Sequence, residues 1–254
     1  MRFLAAIFFL SFSYLVSAQG TINTDRPGAS FSSSVVEKGG VNFQFGSAFQ
    51  KINNPSQNPI NYLGGDMLFR FGLLSVLEFN LGYQINLFDF GNSAQDYTQH
   101  VFPILGTRLQ LLDAEKSSVT LLYFYERPFI SRDVGDRNNV LTENFHQIFL
   151  SAASQIKGAF AGASNLKSNL STGEVGITIN LSYSWDVIGV FAESVNQLRD
   201  ASRFTNFTSS WAGDGYNLGM FLDVSPRFRA DLALSKNYSN SNNLLSFGIS
   251  AKLK

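Results

Sequence analysis

The sequence has no cysteine and only two histidines, His100 and His146, among its 254 residues. Without cysteine it forms no disulfide, no thiolate metal site and no lipid-anchored cysteine. Histidine is the commonest metal ligand and general base, so its scarcity argues against catalysis and metal binding. His146 and Ser151 are an odd number of residues apart and point to opposite faces of a strand. We therefore expect no enzyme, no metal and no cofactor.

Charge is scarce as well as balanced. Asp, Glu, Lys and Arg make up 15% of the chain and the formal net charge at pH 7 is +0, whereas typical soluble domains are about 25% charged. No basic excess exists to neutralise phosphates, which argues against a nucleic-acid partner. Phenylalanine, in contrast, is abundant, with 25 residues. Low charge and many phenylalanines fit a surface that faces lipid.

Only one long apolar run is present, at residues 3–16. It follows Arg2 and leads to Val16, Ser17 and Ala18, a small-residue cleavage site. The run is shorter than the ~20 residues of a membrane-spanning helix. These features predict a signal peptide at residues 1–18 and export across the inner membrane. We expect a polar lead-in or partial plug at 19–40 and a single β domain at 41–254.

Residues 76–87 alternate between apolar and polar side chains. The apolar positions are Leu77, Phe79, Leu81, Tyr83, Ile85 and Leu87. Alternation of period two predicts a strand with one apolar and one polar face. At about 3.3 Å per residue this strand spans roughly 36–40 Å, which is long for a soluble protein. Behind a signal peptide, the pattern is typical of an outer-membrane β-barrel.

The alternation recurs along the chain and predicts an all-β fold, an antiparallel transmembrane up-and-down barrel of about twelve strands. The predicted strands are residues 41–50, 61–72, 76–87, 99–112, 118–129, 143–154, 158–166, 174–184, 187–197, 213–224, 227–236 and 244–253. The patterns at 143–154 and 158–166 are the weakest, and ten strands is the alternative. Short connections alternate with long polar ones, as in barrels with short periplasmic turns and long external loops.

Ionisable residues on the polar faces are the candidate functional residues, predicted to line the lumen and set its selectivity. They are Asp66, Arg70, Glu78, Arg108, Glu126, Glu193, Asp223, Arg229, Asp231 and Lys252. Their mixed signs leave two interpretations open: they line a narrow polar pathway, or they pair across the lumen as a structural filling. One strand departs from the pattern, because Leu122 and Phe124 fall on the polar face of the strand at 118–129.

Several short motifs resemble the family of outer-membrane proteins named for the MetA pathway of phenol degradation. The most specific is the opening Thr24, Asp25, Arg26, Pro27 and Gly28, followed by a strand entry from Gly39 to Phe43. The others are Phe191, Ala192 and Glu193; Asp214, Gly215 and Tyr216 through Asp223, with Asp231; and Phe247, Gly248, Ile249 and Ser250. The resemblance implies a channel for small solutes, including hydrophobic or aromatic ones. It also implies that Asp25 and Arg26 pair and tuck the lead-in against the barrel mouth or into the lumen; the alternative is a plain N-terminal turn.

We therefore expect a channel or transporter in the bacterial outer membrane. Its expected partners are the lipid bilayer, a small-molecule solute and the barrel-assembly machinery. The alternative is a closed structural or surface-binding barrel that acts through external loops, notably residues 130–142 and 198–212. A soluble lipocalin-like barrel is disfavoured, because its apolar faces would have to point inward.

Overall fold

The computed structural model describes residues 31–52, 60–89, 97–127, 129–132, 144–199, 215–237 and 243–253. Regular structure within these ranges is β-strand. The strands are β1 Val41–Ile52, β2 Ile60–Leu74, β3 Leu77–Asp89, β4 Tyr97–Ala114, β5 Ser117–Glu126, β6 Phe129–Arg132, β7 Phe145–Lys157, β8 Phe160–Asn169, β9 Val175–Trp185, β10 Ile188–Arg199, β11 Gly215–Ser225, β12 Phe228–Asn237 and β13 Asn243–Lys252. No helix in these ranges is long and apolar enough to cross a membrane.

The strands form one closed antiparallel sheet. Strands next to each other in the chain pair, except that β6 pairs with β4 and β5 pairs with β7. β1 pairs with β13, with Phe45 opposite Ile249, to close the ring. β5 and β6 both pair with β4, one after the other, and together act as one strand. The described strands therefore make a twelve-strand up-and-down barrel. The predicted fold class is confirmed, with twelve strands rather than the alternative ten.

The two ends of the barrel differ in their connections. Two-residue turns lie at 75–76, 115–116, 158–159, 186–187 and 226–227. Gly158 and Asp186 have positive φ angles of 56° and 54°, which favour the tight hairpin turns that match strand twist. The start of β1 and the end of β13 lie at this same end. We call it the short-turn end. The opposite end carries the longer connections, as the sequence predicts.

The distribution of polar and apolar side chains between the two faces of the barrel is the reverse of that in a soluble protein. Large apolar side chains such as Leu81, Leu181 and Phe247 are exposed on the outside. Polar side chains such as Gln44 and Asn80 are buried on the inside. This arrangement suits an outer surface solvated by lipid and a polar interior.

Candidate functional site

Residues 31–40, which precede β1, lie inside the barrel; we call them the inner segment. Polar contacts join it to residues on strands around the barrel: Lys252 on β13, Gly72 on β2, Glu78 on β3, Gln110 on β4, Ser118 on β5 and Asn165 on β8. β8 lies across the ring from β13 and β2. A segment that reaches both walls must run through the lumen, and it does so from the short-turn end.

A buried charge cluster lies beside the inner segment. Arg70 donates from Nε to Glu78 Oε1 and from Nη2 to Glu78 Oε2, each at 2.8 Å. Arg108 Nε lies 3.7 Å from the same Oε1. Strand register brings these groups together, because Glu78 pairs directly with Arg108 and Arg70 lies on the adjoining strand. All three side chains are 0% exposed.

The charge cluster binds the main chain of the inner segment. The N–H of Val36 donates to Glu78 Oε2 at 2.7 Å. The carbonyl oxygen of Ser34 accepts from Arg70 Nη2 at 2.9 Å and from Arg108 Nη1 at 3.1 Å. Buried main-chain groups require partners, and here ionised side chains supply them. Hydrogen bonds to ionised groups are roughly twice as strong as neutral ones.

Neutral side chains form further hydrogen bonds to the main chain of the inner segment. Gln110 accepts from the N–H of Val35 at 3.0 Å and donates to the carbonyl oxygen of Ser33 at 3.1 Å. Asn165 accepts from the N–H of Phe31 at 3.1 Å. The inner segment is thus held like a strand, but by side chains instead of a neighbouring backbone.

An apolar pocket holds the first described residue of the segment. The ring of Phe31 lies 4.5 Å from that of Phe149 and 5.4 Å from that of Phe124, measured between centroids. Leu122 is fully buried in the same cluster, with Ile104 beside it. This contact explains why Leu122 and Phe124 break the polar pattern of their strand.

The segment leaves the lumen at the rim of the short-turn end. The N–H of Gly39 donates to the carbonyl oxygen of Gly72 at 2.7 Å, and Gly39 has a positive φ of 76°. A Cβ on Gly72 would overlap the carbonyl oxygens of Val36 and Glu37. Lys252 Nζ lies 2.6 Å from Glu37 Oε1. The hydrogen bond and the positive charge of Lys252 hold the pKa of Glu37 below its usual range.

A second polar group lies on the wall formed by β10, β11 and β12. Arg229 donates to both carboxylate oxygens of Asp223, at 2.6 and 2.9 Å, and lies 4.1 Å from the ring centre of Phe221. Asn217 donates to Glu193 on the neighbouring strand. These residues lie on the same inner face as the charge cluster, but on a different part of the wall.

The predicted site residues therefore fall into several groups. Arg70, Glu78 and Arg108 form one, Asp223 and Arg229 another, and Lys252 lies at the rim. Asp66 and Glu126 are partly buried and Asp231 is buried, all on inner faces. Two predicted features lie outside the described residues: the signal peptide and the lead-in motif of Thr24, Asp25, Arg26, Pro27 and Gly28. Their roles stay predictions, as does the selectivity role of the charged residues.

Sequence reasoning missed Gln110, Asn165 and the main chain of residues 31–36 as parts of this site. A neutral amide on a polar face carries no distinctive signal. The two apolar residues on that face, Leu122 and Phe124, were the available clue.

The histidine that the structure describes in full lies away from the lumen. His146 Nδ1 is 2.7 Å from the hydroxyl of Tyr123, and Tyr123 is exposed on the outer face. Ser151 is buried on the inner face, where it bonds Asn165. The two side chains point in opposite directions, as their spacing predicts, and form no nucleophile–base pair.

Solved structures of outer-membrane proteins are similar to this chain. An outer-membrane channel from Pseudomonas putida F1 has a TM-score of 0.57 and 12% identity, and the match covers 90% of this chain and 99% of that one. The KdgM porin has a TM-score of 0.55 and 8% identity, with 84% and 99% covered. This chain has the fold of an outer-membrane barrel. At these identities the likeness concerns the fold alone.

No family model and no curated protein matches the sequence. The resemblance to the family named for the MetA pathway of phenol degradation therefore stays a prediction.

Proposed function

We propose that this protein is a channel of the bacterial outer membrane that passes small solutes, and that the inner segment is its plug. The main support is how the segment is attached. Side chains of Arg70, Glu78, Arg108 and Gln110 hold the main chain of its described residues in the lumen, and Gly39 and Gly40 hydrogen-bond to the main chain of Gly72 at the rim. It can therefore leave without breaking the hydrogen-bond ladder of the barrel.

The charged residues of the inner face would line the path once the plug has left. Arg70, Glu78 and Arg108 would then lose their main-chain partners and face the solute. The wall with Asp223 and Arg229 would form another part of the same path. Acidic and basic residues are mixed, so we expect substitutions at Arg70 or Glu78 to change ion selectivity without reversing it.

A closed barrel is the second candidate function, and one observation favours it. The aromatic cluster around Phe31 and the buried ion pairs fill part of the lumen, as the core of a structural barrel would. Such a protein would act through its external loops. Most of the two loops expected to bind a partner, residues 130–142 and 198–212, lies outside the described residues.

Single-channel conductance in a planar bilayer distinguishes the two functions. The chain starting at residue 19 would be compared with the same chain lacking residues 19–40, each shown to be folded by its heat-modifiable mobility in electrophoresis. We expect discrete conductance that is larger in the shortened form. Silence in both folded forms would reject the channel and favour the closed barrel.

A further inference from the structure

We propose that the outer face of β12, β13 and β1 binds a phosphorylated lipid of the outer leaflet, with Lys51 and Lys236 contacting its phosphate. The site lies on the outside of the barrel wall, at the end opposite the short turns. The inference goes beyond the proposed function, because it requires the barrel to stand in a membrane but does not require the lumen to open.

Two lysines lie at the same height on this part of the wall. Lys236 on β12 pairs with Asn243 on β13, and Lys51 on β1 follows Gln50, which pairs with Leu244 on β13. Both lysine side chains are exposed, and the alternation of their strands puts them on the outer face. With β13 between their strands, their Cα atoms are roughly 10 Å apart. Their flexible four-carbon stems allow both ammonium groups to contact one phosphate.

An apolar row lies next to the lysines, on the side toward the middle of the strands. Five side chains that face each other on five adjacent strands form it: Leu218, Leu234, Leu245, Phe49 and Leu63. Each is between 47% and 51% exposed. The row is about 19 Å wide and lies two residues, roughly 7 Å, from the lysines. It therefore offers acyl chains a continuous surface beside two positive charges.

The two lysines have no acidic partner within the part of the chain that the structure describes. The ion pairs found there join other side chains. A lysine at the edge of an apolar surface keeps its stem on that surface and its charged end in the polar layer. Phosphates of lipid headgroups lie in that layer and attract such lysines.

The outer positions at the short-turn end of the same three strands are apolar. They are Phe228 and Ala230 on β12, Ile249 and Ala251 on β13, and Val41 and Phe43 on β1. Because outer-membrane barrels direct their long connections out of the cell, the two lysines face the outer leaflet. A lipid of that leaflet with both phosphate and acyl chains matches the lysines and the apolar row together.

The test measures binding of bisphosphorylated lipid A to the chain from residue 19 in detergent, by native mass spectrometry at low ionic strength. Lipid A without its phosphates is the comparison lipid, and inorganic phosphate is the comparison anion. We expect saturable binding of bisphosphorylated lipid A and weaker binding of the phosphate-free lipid. Millimolar inorganic phosphate should not displace the lipid, because it cannot cover the apolar row.

Double variants, each shown to be folded by its heat-modifiable mobility, locate the binding. Lys51→Gln with Lys236→Gln should weaken it by about fivefold for each lysine, on the order of thirtyfold together. Lys51→Arg with Lys236→Arg keeps both charges and should keep most of the affinity. Lys116→Gln with Lys157→Gln is the matched control, since it removes two exposed lysines at the short-turn end, and it should bind like the wild type.

Several results would overturn the inference. Unchanged affinity of Lys51→Gln with Lys236→Gln would reject the site, and an equal loss in Lys116→Gln with Lys157→Gln would show attraction by overall charge alone. Equal binding of the phosphate-free lipid would reject recognition of phosphate, and displacement by inorganic phosphate would show a site for the free anion. Because binding is measured without conductance, these results leave the proposed function standing.

Discussion

Glu78 is the residue on which the described site depends most. Its carboxylate neutralises Arg70, lies close to Arg108 and accepts the N–H of Val36. Loss of this carboxylate would take a counter-charge from two guanidiniums that are 0% exposed, which is unfavourable. Removing one partner from a buried pair typically costs about 3–5 kcal/mol. The same carboxylate therefore supports the barrel wall and the inner segment together.

Glu78→Gln should lower the free energy of unfolding in urea by about 3–5 kcal/mol and increase conductance, because the variant loses the charge that binds Arg70 and Val36. Asp223→Asn is the matched control, since it also removes an inward carboxylate paired with an arginine. It should destabilise the barrel but leave the inner segment in place, so that removing residues 19–40 still raises its conductance. Equal conductance of Glu78→Gln and the wild type would show that this cluster does not hold the plug.

Sequence alone could place these residues on the inner face but could not pair them. Alternation fixes the side of the sheet for Arg70, Glu78 and Arg108, because side chains switch faces at every residue. Which of them meet depends on the register between strands, and the sequence of a single strand does not determine that register. The main-chain partners Ser32, Ser34 and Val36 have no side-chain signature at all.

At the scale of the element, β2 is shaped to let the inner segment pass. Gly72 lies near its end, and its missing side chain leaves room for the main chain of Val36 and Glu37. The strand itself was predicted well, at 61–72 against the observed Ile60–Leu74. The sequence did not show why position 72 is a glycine. The reason is a contact with the inner segment, which is not part of the sheet.

Gly72→Ala should displace the inner segment, since the new Cβ would overlap a carbonyl oxygen. We expect conductance close to that of the chain lacking residues 19–40. Gly65→Ala on the same strand is the control, because its Cβ would meet its nearest atom at an ordinary 3.8 Å. Wild-type conductance in Gly72→Ala would contradict this account of the rim.

At the scale of the whole molecule, the apolar outer face determines where the barrel is stable. The alternating pattern predicted this face because lipid selects apolar residues at every second position. It also predicted twelve strands, since turns and long connections alternate. It did not predict the division between β5 and β6, which falls next to Pro128; proline has no N–H for a strand ladder.

The loss of stability caused by a charged residue on the outer face should depend on how deep that residue lies in the membrane. Met67 lies at the middle of β2 and Leu73 near the short-turn end, and both are exposed. Met67→Arg should lower the unfolding free energy in lipid vesicles by about 2–4 kcal/mol, and Leu73→Arg by about 0–1 kcal/mol. Equal effects at the two positions would contradict a membrane spanned by these strands.

The ion pair between Glu37 and Lys252 joins the inner segment to the final strand of the barrel. Residue 37 leaves the ribosome long before residue 252, and the two can meet only after β13 has paired with β1. The hydrogen bond from the N–H of Leu253 to the carbonyl oxygen of Val41 has the same requirement. The contact of Glu37 with the final strand therefore exists only in the closed barrel, whereas the contacts of the inner segment with Arg70, Glu78 and Gln110 need only β2, β3 and β4.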